Sequence, residues 1–112
     1  MRRLLPAATG LTVLAALYLI FLVAPTEREM GVVQRIFYFH VASAQMAFLG
    51  FFLVAGASAV FLWNGSRGAD RLGAAAAEVG LLFCTLVLVT GPIWARPIWG
   101  VWWTWDPRLT MT

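Results

Sequence analysis

The polar positions of this chain are few and clustered, and three long apolar runs lie between the clusters. From residue 7 to residue 24 every position except Thr9, Gly10 and Thr12 is strongly apolar, and Leu4 and Leu5 extend the run. A helix needs about 20 apolar residues to cross a bilayer, so the pattern predicts a spanning helix over about 4–24. The basic start at Arg2 and Arg3 also fits a secretory signal. Cleavage after Ala24 would leave Leu22 at the −3 position and Pro25 just past the cut, and the run is long for a signal. It reads as an uncleaved first span.

Pro25, Thr26, Glu27, Arg28 and Glu29 break that run. An aromatic stretch, Ile36-Phe37-Tyr38-Phe39-His40, then opens a second one, and a helix is expected over about 38–63. Its small residues Ser43, Ala47, Ala55 and Ala59 fall at four-residue spacings, which lets helix backbones approach closely in lipid. A turn-rich, charged connection from Asn64 to Arg71 follows. The third run predicts a helix over about 72–91, with Gly73, Ala77, Gly80 and Cys84 on related faces. Gly91-Pro92 ends or kinks it, because proline removes a backbone donor and clashes with the preceding turn. Pro97 and Pro107 keep the Trp-rich segment 94–110 from being one helix. The expected fold is all-α: one membrane domain over 1–112, with three transmembrane helices and a Trp-rich outer-face segment at the end.

Composition supports a bilayer rather than an aqueous setting. Hydrophobic residues make up 62% and charged residues only 12%, too few to cover a soluble surface. The net charge of +3 comes from eight arginines and no lysine, placed at segment ends and not in a stripe. Nucleic-acid binding therefore has little support. The lone Cys84 cannot form an internal disulfide or a Cys-x-x-Cys pair, which disfavours a thiol–disulfide carrier and leaves it as a small packing residue.

Three spans put the chain start and the Trp-rich segment on opposite sides. Arg2, Arg3, Arg67 and Arg71 fall on one side, and Arg28, Arg35, Arg96 and Arg108 on the other. The first helix usually dominates, so Arg2 and Arg3 favour a cytoplasmic N-terminus. His40 and the Trp-rich segment then share the outer face, and they share a face in either orientation.

Five of the six tryptophans lie between Trp94 and Trp105. An aromatic belt at the membrane–water interface accounts for some of them, and a binding platform for a flat apolar ligand accounts for the cluster equally well. His40 is the only histidine, and neutral imidazole is a common iron ligand in haem proteins. Its other role is that of a hydrogen-bonded structural residue. Phe37, Tyr38 and Phe39 on one approach and Trp99, Trp102, Trp103 and Trp105 on the other can sandwich a flat macrocycle. Arg35, Arg96 and Arg108 are candidates for carboxylates on its rim, although headgroup anchoring suits Arg35 and Arg96 better. Asp106 meets a polar edge or pairs with Arg108. Glu78 and Gln45, polar residues inside the apolar runs, are left outside the site.

Trp99-Gly100-x-Trp102-Trp103-x-Trp105-Asp106-x-Arg108-Leu109-Thr110 resembles the Trp-rich signature of the cytochrome c assembly (WWD-domain) family of haem-handling membrane proteins. Ile36-Phe37-Tyr38-x-His40-Val41 upstream, with two helices between, is similar to its haem exporter C (CcmC) branch. The resemblance covers essentially the whole chain. It implies a bacterial inner-membrane protein, not an enzyme, that binds haem as cargo and presents it on the periplasmic face for c-type cytochrome biogenesis. Implied partners are a periplasmic haem chaperone of the CcmE type, an ABC-type maturation complex and a small membrane partner. By the same resemblance His40 is an axial ligand to haem iron. Trp99, Trp102, Trp103, Trp105, Asp106 and Arg108 belong to the haem platform. Ala42 stands where the family often has proline. Family members carry more spanning helices and a second ligand histidine, so this chain is expected to be the N-terminal half of a longer protein. Two alternatives stay open: a cytochrome c haem lyase component, and a structural helical subunit whose Trp cluster is only a belt.

Overall fold

The computed structural model describes residues 2–112. Among them are helix α1 (Leu4–Tyr18), continued by a wider π-helical turn (Leu19–Val23), α2 (Gln34–Asn64), α3 (Arg67–Trp99) and a short α4 (Pro107–Thr110). The segment Leu4–Val23 and helices α2 and α3 are each long and apolar enough to cross a membrane. The chain is thus all-α with three candidate spans, as its hydrophobic pattern predicts.

The helix bounds depart from the expected ones for identifiable reasons. Helix α3 begins at Arg67 instead of residue 72, because the Ser66 hydroxyl accepts a hydrogen bond from the Ala69 N–H and caps it. Asp70 in the first turn suits the positive end of the helix dipole. The charged connection therefore shrinks to Gly65 and Ser66, with Gly65 taking the left-handed conformation (φ +68°) that ends α2. At its far end α3 does not stop at Gly91-Pro92 but carries Pro92 and Pro97 within it to Trp99. Proline deprives the carbonyl four residues back of its donor, and in lipid the surrounding segments tolerate this better than an unwound backbone.

Helices α2 and α3 form an antiparallel hairpin, and its seam is made of small side chains. Ser43, Ala47, Gly50 and Ala57 of α2 are buried, as are Ala76, Gly80 and Ala95 of α3. The seam so corrects the sequence pattern: Ser43 and Ala47 belong to it, but Ala55, Ala59 and Ala77 are exposed. The backbones come closest at Gly50, where an added Cβ would lie 2.8 Å from Gly80 Cα. Such proximity is how helices attract in lipid, where dispersion and not water exclusion drives association. Large side chains point outward, among them Phe52, Leu62 and Trp63, as suits an apolar solvent.

Helix α1 packs against neither α2 nor α3; only its π-helical turn reaches α2. Arg35 makes that joint. Its guanidinium donates to the Ile20 carbonyl at 2.6 Å and to Thr26 Oγ1 at 3.4 Å, and it lies over the Phe21 ring. Phe21 in turn meets Phe39 at 6.1 Å between centroids. The connecting loop is held by Glu27, whose carboxylate accepts from the N–H groups of Glu29 and Met30 and whose own N–H donates to Gln34 Oε1.

Candidate functional site

His40 lies in the second turn of α2, and the antiparallel pairing sets it beside Thr90 and Gly91 of α3. His40 Nδ1 is 3.0 Å from Thr90 Oγ1. The imidazole edge occupies the space a side chain at Gly91 would fill, since an added Cβ there would sit 3.2 Å from His40 Cε1.

Past His40 the end of α3 and the tail fold back over the hairpin. Trp94 is on α3, tilted against Phe37 of α2 at 5.9 Å and edge-on to Trp99 at 5.4 Å. Gly100 (φ +78°) ends the helix in the left-handed conformation, its N–H bonded to the Arg96 carbonyl. Arg96 donates to the Gly100 carbonyl and lies 6.0 Å from the Trp102 ring. Asp106 caps α4: one carboxylate oxygen accepts from the Leu109 N–H at 2.9 Å, the other from the Thr104 hydroxyl at 3.1 Å. The Leu109 N–H chiefly holds the Asp106 carboxyl below its ordinary value; burial opposes it, and Thr104 and Arg108 add to the lowering. Arg108 stands 3.7 Å from Asp106 and 5.0 Å above the Trp99 ring.

These pieces enclose an open cavity of about 300 Å³, within the range of small-molecule and cofactor sites. The hairpin contributes Phe37, His40, Gly91 and Pro92; the upper end of α3 and the tail contribute Trp94, Trp99, Trp102, Trp103, Arg108 and Leu109. The lining is mainly apolar, with one imidazole and one guanidinium. The indole N–H groups of Trp94 and Trp103 are buried without an acceptor. Among the described residues no three His, Cys, Asp or Glu side chains are grouped to hold a bare metal ion.

Of the residues singled out in the sequence, His40, Trp99, Trp102, Trp103 and Arg108 come together around this one cavity. Trp105 and Asp106 do not line it. Trp105 is 82% exposed and packs edge-on against Trp103, while Asp106 is spent on the cap and on Arg108. Nor do Tyr38 and Phe39 form a wall, since the Tyr38 hydroxyl is taken by Gln34 and Phe39 by Phe21. Arg35 and Arg96 are occupied by backbone carbonyls and do not line the cavity. Trp94 and Gly91 also line the cavity and Thr90 holds the imidazole, none of them expected at the site from the sequence. Their signal is the helical period continuing through Pro92, which sets Val87, Gly91 and Trp94 on one face.

The family described as heme exporter protein C matches residues 1–112. The Heme exporter protein C of Rhodobacter capsulatus is 38% identical over 111 residues, covering 96% of this chain and 46% of that protein. A putative cytochrome c biosynthesis ccmC-like mitochondrial protein of Marchantia polymorpha is 40% identical over 95 residues, covering 85% of this chain and 42% of that one. The Heme exporter protein C of Escherichia coli K12 is 38% identical over 87 residues, 78% of this chain and 36% of that protein. The chain thus spans less than half the length of these relatives. No solved structure matches it. With the whole chain covered by one family and the Trp-rich signature folded against His40, this multi-pass membrane chain belongs to the heme exporter protein C family.

Proposed function

We propose that this chain binds haem as cargo in the cavity between the hairpin and the Trp-rich tail, and takes part in cytochrome c maturation. His40 supplies an axial imidazole to the iron. Trp99, Trp102 and Trp103 face the macrocycle, and Arg108 meets its carboxylates. Trp105 and Asp106 support the loop instead of touching the ligand. The observation that carries the reading is the convergence of His40 with Trp99, Trp102, Trp103 and Arg108, from segments some sixty residues apart, on one apolar cavity. The protein handles haem without transforming it, offering it on the periplasmic face of the bacterial inner membrane to a CcmE-type haem chaperone, alongside an ABC-type complex and a small membrane partner. The N-terminus is cytoplasmic.

The test is a titration of the detergent-solubilised chain with haemin, wild type against His40→Ala. A saturable, shifted Soret band that is lost in the variant is expected. Equal binding by both would remove the ligand assignment, and no saturable binding by either would leave the Trp cluster as an interfacial belt.

A further inference from the structure

A histidine that ligates iron through Nε2 must keep the proton on Nδ1, and something must hold that proton. The structure shows what does so here. Thr90 Oγ1 lies 2.7 Å from the carbonyl oxygen of Leu86, one turn back on α3, and donates its only hydrogen there. Towards His40 Nδ1, at 3.0 Å, the same oxygen has only lone pairs left to offer. In the neutral ring the shared hydrogen bond is therefore Nδ1–H donating to Thr90 Oγ1, with the Val87 carbonyl a second acceptor beside the ring, and Nε2 keeps its lone pair. Gly91, the next residue, removes the obstacle: an added Cβ would lie 3.2 Å from Cε1 and 3.7 Å from Nδ1, against the ring edge that Thr90 holds.

We propose that Thr90 and Gly91 are positioning residues for haem ligation, fixing the tautomer and the seat of the His40 imidazole so that Nε2 is presented to the iron. This rests on His40 being the ligand. Thr90 lies outside the cavity lining, and Gly91 enters it with no side chain. Thr90 acts by hydrogen bonding and also raises the basicity of the ligand nitrogen; Gly91 acts by leaving the space empty.

The test uses the 112-residue chain in detergent with haemin, comparing wild type with Thr90→Val, Thr90→Ser, Gly91→Ala and His40→Ala. Valine has threonine's shape but no acceptor. Loss of a partner of this kind typically weakens a metal site about 10- to 100-fold, and that loss in haemin affinity is expected for Thr90→Val. The bound haem should also move to a more positive midpoint potential, because a less basic imidazole stabilises ferric iron less. Thr90→Ser, which keeps the oxygen, should restore both affinity and potential. Gly91→Ala should weaken binding by displacing the ring. Far-UV circular dichroism on each variant checks that the helices persist. Wild-type affinity and potential in Thr90→Val would overturn the proposal while His40→Ala still abolished binding. Equal defects in Thr90→Val and Thr90→Ser would overturn it too, since the effect would then be one of packing. Unimpaired binding by His40→Ala would overturn this proposal together with the reading beneath it.

Discussion

Alanine at Gly50 should force α2 and α3 apart, whereas alanine at Gly80, across the same crossing, should be tolerated. The two glycines face each other, but their Cα–Cβ directions differ. A Cβ on Gly50 would stand 2.8 Å from Gly80 Cα and 3.3 Å from both Gly80 N and Ala76 O. All three are backbone atoms, so no side-chain rotation relieves the overlap. Bringing 2.8 Å to the 3.4 Å at which ordinary contact begins requires the helices to separate locally by several tenths of an ångström. A gap of about 0.5–1 Å already forfeits a quarter to a half of each affected dispersion well. Overpacking of this kind costs about 1–3 kcal/mol. The loss falls on the one helix pair that packs along its length among the described residues. A Cβ on Gly80, by contrast, meets Gly50 Cα at 3.5 Å and Phe51 Cδ1 at 3.6 Å, ordinary contact distances, and its effect should stay within about 0.5 kcal/mol.

The assay is unfolding of the chain in mixed micelles as the mole fraction of sodium dodecyl sulfate rises, followed by far-UV circular dichroism. A loss of about 2 kcal/mol corresponds to roughly a 30-fold change in the folded-to-unfolded ratio. The midpoint for Gly50→Ala should fall clearly below that of wild type, with Gly80→Ala close to wild type. Equal shifts for the two variants, or a wild-type midpoint for Gly50→Ala, would refute the reasoning, because the asymmetry comes only from the close approach on one side.

Three further outcomes follow from the same geometry. Trp102→Ala should weaken haemin binding severalfold more than Trp105→Ala does in a Soret titration, since Trp102 lines the cavity and Trp105 does not. Arg35→Ala should free the Ile20 carbonyl and loosen the joint between the first span and the hairpin, leaving the Phe21–Phe39 contact to hold it. A lost hydrogen bond to a charged donor is worth about 1.5–3 kcal/mol, so tryptic cleavage at Arg28 should accelerate about tenfold or more, with haemin affinity little changed. Asp106, held below its ordinary value, steadies the tail at pH above the usual aspartate value of about 3.9 and loses that effect as pH falls through its lowered one. Tryptophan fluorescence of the wild type should therefore show an acid transition in that window. Asp106→Asn, which keeps a competent cap, should lack it.

What the sequence made legible and what it hid divide along a physical line. The three spans could be read because they depend on run length and on scarcity of charge, quantities that survive any error in helical phase. His40 and the Trp-rich segment could be placed on one side because that depends only on an even number of crossings between them. Whatever depended on angular phase was read less well. Steps of four residues advance about 40° beyond a full turn, so a stripe drawn from Ser43 through Ala47 to Ala55 and Ala59 drifts off the seam. The structure keeps the contact by shortening the step, passing through Gly50 and Ala57. Gly91-Pro92 misled for a related reason. Proline carries a local cost to the helix, but Gly91 is where His40 seats and α3 must continue past it to bring Trp94 against Phe37. Beyond Gly100 the chain has no helical period until α4, and no spacing rule could tell Trp102 and Trp103, on the cavity, from Trp105, outside it. That choice is made by Asp106, which caps α4 and turns Arg108 back over Trp99. An acidic residue outside the cavity thus helps to set which of its neighbours line it.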